Sequence, residues 1–214
     1  MSSLQQSGTW KQLVENCHNA SAQLMAVSKG QSVEAIETLL KADQHLFGEN
    51  KVQEAEKKWP TLKQKYPNCK LHFIGSLQTN KVKQALKIFD CIQSLDRLSL
   101  AQSLHKEMQT LGHIIPLMIQ LNLGNEPQKG GISFDEADDF IQTCIYDLKL
   151  PIIGLMGIPP SGKDPVPYFK RLTAIADKHR LKEKSIGMSS DYQHALECGS
   201  TMIRIGTALF GNRV

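Results

Sequence analysis

The sequence predicts an α/β fold, a single (β/α)8 TIM barrel, and three observations carry that expectation. Short apolar runs alternate with amphipathic stretches eight times along 214 residues, the pattern of repeated βαβ units around a parallel sheet. The runs are apolar on both alternating faces, as in Leu24-Met25-Ala26-Val27, which suits strands covered on both sides. Chemistry-bearing residues fall just after the runs, where the functional loops of such a barrel gather. The rival is an open doubly wound sheet, which the lack of Gly-x-Gly-x-x-Gly after the first run weakens.

Taken in order, residues 11–22 read as a helix with Leu13, Val14 and Cys17 near one face, so residues 1–22 form a helical segment ahead of the first strand. Residues 24–29 are that strand, with Met25, Val27 and Lys29 on one face and Leu24, Ala26 and Ser28 on the other. Ser32 caps a helix in which Val33, Ile36, Leu39 and Leu40 keep helical spacing. Residues 45–48 form the second strand. Asn50 then opens a long polar helix with Gln53 in near capping-box position, and Pro60 predicts a break or kink near Trp59. Residues 71–75 are the third strand, 80–89 a helix and 91–94 the fourth strand. Asp96 caps the helix that Gly112 ends.

Residues 116–123 are the fifth strand, and Ser133 with Glu136 makes a capping-box pattern before a helical stripe from Phe134 to Leu148. Residues 152–156 are the sixth strand. Asp164 caps, and Pro165 starts, a helix to about His179. Residues 185–188 are the seventh strand, 191–198 a short helix and 201–205 the eighth strand, and residues 210–214 close the chain. The expected organisation is one domain spanning residues 1–214.

Composition narrows the function. Net charge is +4, with Lys and Arg interspersed among acids, so a nucleic-acid partner is not expected. No secretory leader and no bilayer-length apolar run is visible. The five cysteines, Cys17, Cys69, Cys91, Cys144 and Cys198, are scattered; free thiols in a cytoplasmic protein are expected, without disulfide framework or metal site.

Lys29 would point into the barrel. An inward lysine is desolvated toward the neutral amine that forms imines, whereas one at an open strand end is merely solvated. Two uses follow: direct attack on a carbonyl substrate, as in an aldolase, or anchoring of pyridoxal 5′-phosphate (PLP), which also needs a phosphate site and a partner for its pyridine nitrogen. Gly187-Met188-Ser189-Ser190-Asp191 and Gly206-Thr207 offer hydroxyl and amide donors for a phosphate after strands seven and eight. Arg204 shares an inward face with Met202; it makes either a core salt bridge or a hydrogen bond to the pyridine nitrogen. Asn50 is a helix N-cap or a cofactor contact, and His72 a core histidine or a cofactor contact. Met156 ends the sixth strand at the same mouth.

Six spaced stretches share a further property. Ala26-Val27-Ser28-Lys29, Phe47-Gly48-Glu49-Asn50, His72-Phe73-Ile74-Gly75, Gly154-Leu155-Met156, Gly187-Met188-Ser189 and Arg204-Ile205-Gly206-Thr207 together resemble, in the same order, the signature of the pyridoxal phosphate homeostasis protein family. The resemblance implies a single-domain barrel of the alanine racemase N-terminal type. It implies PLP as a Schiff base on Lys29, phosphate contacts at Ser189, Gly206 and Thr207, and a pyridine-nitrogen contact at Arg204, with Asn50, His72 and Met156 nearby. It also implies a monomeric carrier or regulator in vitamin B6 balance, without robust catalysis, whose partners are PLP and PLP-requiring apoenzymes. The alternative is a PLP-dependent racemase. That reading needs a second base, which the four tyrosines, in helices or at their starts, are not expected to supply. The chain departs from the family at Gly30-Gln31-Ser32, Lys51 and Ser76, where Thr-Lys-Pro, tyrosine and histidine are frequent.

Overall fold

Eight parallel strands close on themselves in sequence order, each hydrogen-bonded to the next and β8 to β1. The computed structural model describes residues 3–126 and 129–211, with side chains from Gly8 onward. The strands are β1 (Gln23–Val27), β2 (Leu46–Glu49), β3 (Lys70–Phe73), β4 (Cys91–Leu95), β5 (Leu117–Leu121), β6 (Ile152–Gly157), β7 (Glu183–Ser185) and β8 (Met202–Ile205). Outside them lie α1 (Ser3–Asn19), α2 (Val33–Lys41), α3 (Val52–Lys65), α4 (Val82–Ile88), α5 (Leu98–Leu111), α6 (Ala137–Gln142), α7 (Val166–Lys178), α8 (Tyr192–Glu197) and α9 (Thr207–Phe210). The expected closing segment reaches past Gly211, outside the described residues.

Alternation along the strands sorts two apolar layers. Leu24, Ala26, Phe47, Leu71, Phe73, Ile92, Leu117, Ile119, Ile203 and Ile205 face outward into one continuous core against the helices. Phe47 meets Trp59 of α3 there, with ring centroids 5.1 Å apart and planes tilted at 55°. Met25, Met118, Met156 and Met202 are buried but stand apart from that core, inside the barrel. Unbranched, polarisable methionines suit a tapering interior in which polar side chains are also embedded.

Several boundaries depart from the sequence reading. Helix α3 runs unbroken through Pro60. Pro60 and Glu56, whose carbonyl loses its amide partner, are both exposed, so the freed acceptor lies on the solvent side of the helix. Lys51, not Asn50, is the N-cap of α3, and Arg97, not Asp96, that of α5; Asp96 instead accepts from Arg97 Nη1 at 2.6 Å. The stripe from Phe134 divides into α6 and a π-helical stretch, Thr143–Asp147. Strand β7 stops at Ser185, because Gly187 turns the chain at φ +98°. Pro165, not Asp164, is the N-cap of α7, although Asp164 Oδ1 still accepts from Val166 N at 3.0 Å. Other signals hold: Ser32 Oγ accepts from Ala35 N at 3.2 Å, and Gly112 ends α5 at φ +59°.

Candidate functional site

The C-terminal ends of the strands surround a cavity of about 390 Å3. Its lining includes Lys29, Asn50, Met156, Ser189, Arg204, Gly206 and Thr207. Seven side chains or backbones singled out from the sequence thus come together, from five different strand ends.

Lys29 sits in the turn just beyond β1, half-buried. The turn is tied from behind. Lys58 of α3 donates to the carbonyls of Ser28 at 3.0 Å and Gln31 at 3.4 Å. Glu54, one helical turn earlier, accepts from Gly30 N at 2.6 Å. Ser28 Oγ donates to Glu49 Oε1 at 2.8 Å. Buried polar groups bonded on both sides hold such a turn in one conformation.

Arg204, on β8 and in register with Met25 of the neighbouring β1, forms part of the adjoining wall and is only 5% exposed. Its Nη1 donates to the Ser185 carbonyl and, at 2.8 Å, to Ser185 Oγ; its Nη2 donates to the Gly157 carbonyl at 2.9 Å. These bonds use three of five guanidinium N–H groups. Among the described residues no carboxylate pairs with it, so the core salt bridge allowed by the sequence is not formed. Burial pulls Arg204 down to about 10, against the pull of Asp191, and it stays cationic at neutral pH.

The loop after β7 and the start of α9 supply donors. Gly187 allows the turn that carries Ser189 and Ser190 to the cavity, and Asp191 Oδ1 closes it by accepting from Met188 N at 2.6 Å. The amides of Ser189 and Ser190 make no hydrogen bond to another described residue. Gly75 permits the close approach of the third wall: a Cβ there would lie 2.2 Å from the Asn50 carbonyl oxygen.

A cofactor with an aldehyde, a phosphate and a ring nitrogen finds in this cavity an amine, unpaired turn amides beside hydroxyls, and a buried cationic donor with N–H groups to spare. The residues present therefore fit PLP. His72 is not brought to the cavity. One register step below Ile74, it lines a depression at the other end of the barrel and pairs with Gln93 at 2.9 Å. Gln31 and Ile158 line the cavity and were not foreseen; both lie in loops, where no periodicity marks them. The departures Gly30, Lys51 and Ser76 are all exposed.

Comparison with known proteins agrees with this geometry. The family described as alanine racemase, N-terminal domain, matches residues 8–214. An alanine racemase of Clostridium difficile shares the fold with TM-score 0.75 at 15% identity, over 93% of this chain and 55% of its own. Fold and cavity therefore define a barrel of the alanine racemase N-terminal class. The chain belongs, more closely, to the pyridoxal phosphate homeostasis protein family. The protein of that name from Aquifex aeolicus is 38% identical over 93% of this chain and 89% of its own, and that from Escherichia coli is 36% identical over 89% and 85%. The structure of PipY of Synechococcus elongatus with PLP bound matches with TM-score 0.81 at 35% identity, covering 89% of this chain and 93% of PipY.

Proposed function

We propose that this protein binds PLP as a Schiff base on Lys29 and acts in PLP homeostasis as a carrier or regulator rather than as an enzyme. The observation that carries the reading is Arg204: a buried guanidinium, cationic at neutral pH, unpaired with any described carboxylate, in the wall of the cavity that holds Lys29. PLP supplies an electrophilic aldehyde and, when its ring nitrogen is protonated, an electron sink. Arg204 donates only, so it keeps a ring nitrogen in the acceptor state and weakens that sink. Lys29 provides the amine. Ser189, Gly206 and Thr207 provide the phosphate contacts, and Asn50 and Met156 border the ring. The whole chain acts as one domain.

Racemisation needs a second base over the ring. Among the described residues no tyrosine lines the cavity: Tyr66 Oη donates to Glu37, Tyr192 Oη accepts from Asn16, and Tyr146 is exposed. Four buried, unpaired cysteines suit a reducing cytoplasm. No described helix is long and apolar enough to cross a membrane. A monomer, following the family resemblance, exposes the cavity mouth to PLP-requiring apoenzymes.

The test is transfer: PLP-loaded protein mixed with an apoenzyme that requires PLP should restore that enzyme's activity. Racemase assays with alanine, serine and glutamate should show no turnover. Turnover abolished by Lys29→Ala would replace this reading with an enzymatic one.

A further inference from the structure

Between the cofactor cavity and the opposite end of the barrel, the interior carries a continuous polar chain. Arg204 Nη1 lies 2.8 Å from Ser185 Oγ, Ser185 Oγ 2.8 Å from Gln93 Oε1, and Gln93 Nε2 2.9 Å from His72 Nδ1. Ser185 and Gln93 are completely buried. The chain joins residues far apart in sequence, with 92 positions separating Gln93 from Ser185.

Its direction is fixed from one end. Arginine has no acceptor, so Ser185 Oγ accepts from Arg204. The single hydroxyl hydrogen then goes to Gln93 Oε1. That sets the amide: its nitrogen, with Met202 Sδ at 3.1 Å, donates to His72. His72 Nδ1 must therefore be bare, with the ring proton on Nε2. No link can reverse alone without leaving two donors face to face or a buried donor unpaired, which costs about 1–3 kcal/mol.

We propose that Ser185 and Gln93 are positioning residues that hold Arg204 in the cavity wall, and that His72, which does not line that cavity, is the terminal acceptor that keeps this chain polarised toward it. The consequence for PLP rests on the function proposed above; the polarity of the chain does not. His72 lines a depression of about 510 Å3 at the N-terminal end of the strands, so the far end of the chain is open to the surface. Protonated His72 would turn an Nδ1–H toward the Gln93 amide. Relief requires Gln93 to flip and strands the Ser185 hydroxyl hydrogen beside Arg204. The charged groups facing His72 are Lys70 on β3, Lys63 on α3 and Asp90 ahead of β4. His18 of α1, with Asp43 and His45 of the α2–β2 turn, lines the same depression. Burial outweighs the pull of Asp90 and keeps the ring neutral.

Two variants and one resonance test this. His72→Leu removes the acceptor, and His72→Asn keeps an oxygen acceptor at similar reach. With PLP as the probe, His72→Leu should shift the absorption band of the bound cofactor and weaken its retention about fivefold, whereas His72→Asn should restore both. Wild-type behaviour in His72→Leu, or equal shifts in both variants, overturns the proposal. Nitrogen-15 spectra of the wild-type imidazoles, taken before PLP is added, should show neutral His72 protonated at Nε2 at neutral pH. An Nδ1–H tautomer or a charged ring overturns it too, even if His72→Leu fails to fold. Failure of the wild type to take up PLP overturns the functional reading and the positioning role with it, and the tautomer separates that failure from an error in the chain's polarity.

Discussion

Lys58 Nζ lies 2.7 Å from Glu49 Oε1, and the Glu49 side chain is completely buried. The same carboxylate oxygen accepts from Ser28 Oγ and from Trp59 Nε1 at 3.2 Å, while Glu49 Oε2 is buried without a partner among the described residues. The carboxylate thus depends on one oxygen and on one cation, which also binds the carbonyls on either side of Lys29. Lys58→Met leaves a buried charge without its ion partner, and such losses destabilise by about 3–5 kcal/mol. Urea unfolding should show that loss. The folded fraction should trap PLP more slowly with borohydride, because the Lys29 turn has lost its tether.

Gly75→Ala tests the wall between β2 and β3. The added carbon would meet the backbone of Asn50, which has no flexible side chain to yield. A cost of about 1–3 kcal/mol is expected, together with weaker PLP binding as Asn50 is displaced. Unfolding curves and equilibrium dialysis of PLP read the two effects separately.

Arg204→Gln should leave the amine of Lys29 reactive but change the absorption of bound PLP, because the donor in the cavity wall changes. It should also lose stability by about 1–3 kcal/mol, since the Ser185 and Gly157 carbonyls lose charged donors. An unchanged spectrum would place Arg204 away from the ring.

Stability should fall below neutral pH in a window set by His72. Burial pushes its imidazole down from 6.5 to about 4. Between those values the unfolded chain binds a proton and the folded chain does not, so folding stability rises with pH across the window and is lost as pH falls through it. The shift corresponds to about 3 kcal/mol. Urea midpoints for wild type and His72→Asn should diverge between about pH 6.5 and about pH 4 and run parallel above it. The paired carboxylates Glu37 and Asp138, lowered by Lys65 and Lys178, are common to both proteins.

The barrel was legible because strand alternation and helix spacing are local signals. Leu24 to Val27 and Arg204 to Ile205 show their faces without any partner in view. The cavity was legible where function sits at strand ends, as at Lys29, Asn50, Met156 and Thr207. What stayed hidden depends on proximity or on solvent. Pro60 reads as a kink until the exposure of Glu56 is known. His72 shares an alternating face with Ile74, but strand stagger places it a layer lower. Lys58 reaches Ser28 across 30 positions. Only its Glu54 partner, four residues before it, has a helical spacing that sequence could have flagged. Gln93 did carry a signal, a polar residue amid the apolar β4.

The central claim is tested most directly by the absorption spectrum of the purified protein with added PLP, before and after borohydride, followed by peptide mass mapping. The account predicts a yellow band that reduction converts to a pyridoxyl adduct on Lys29, lost in Lys29→Ala. A colourless protein that takes up no PLP, or an adduct on another lysine, would contradict it.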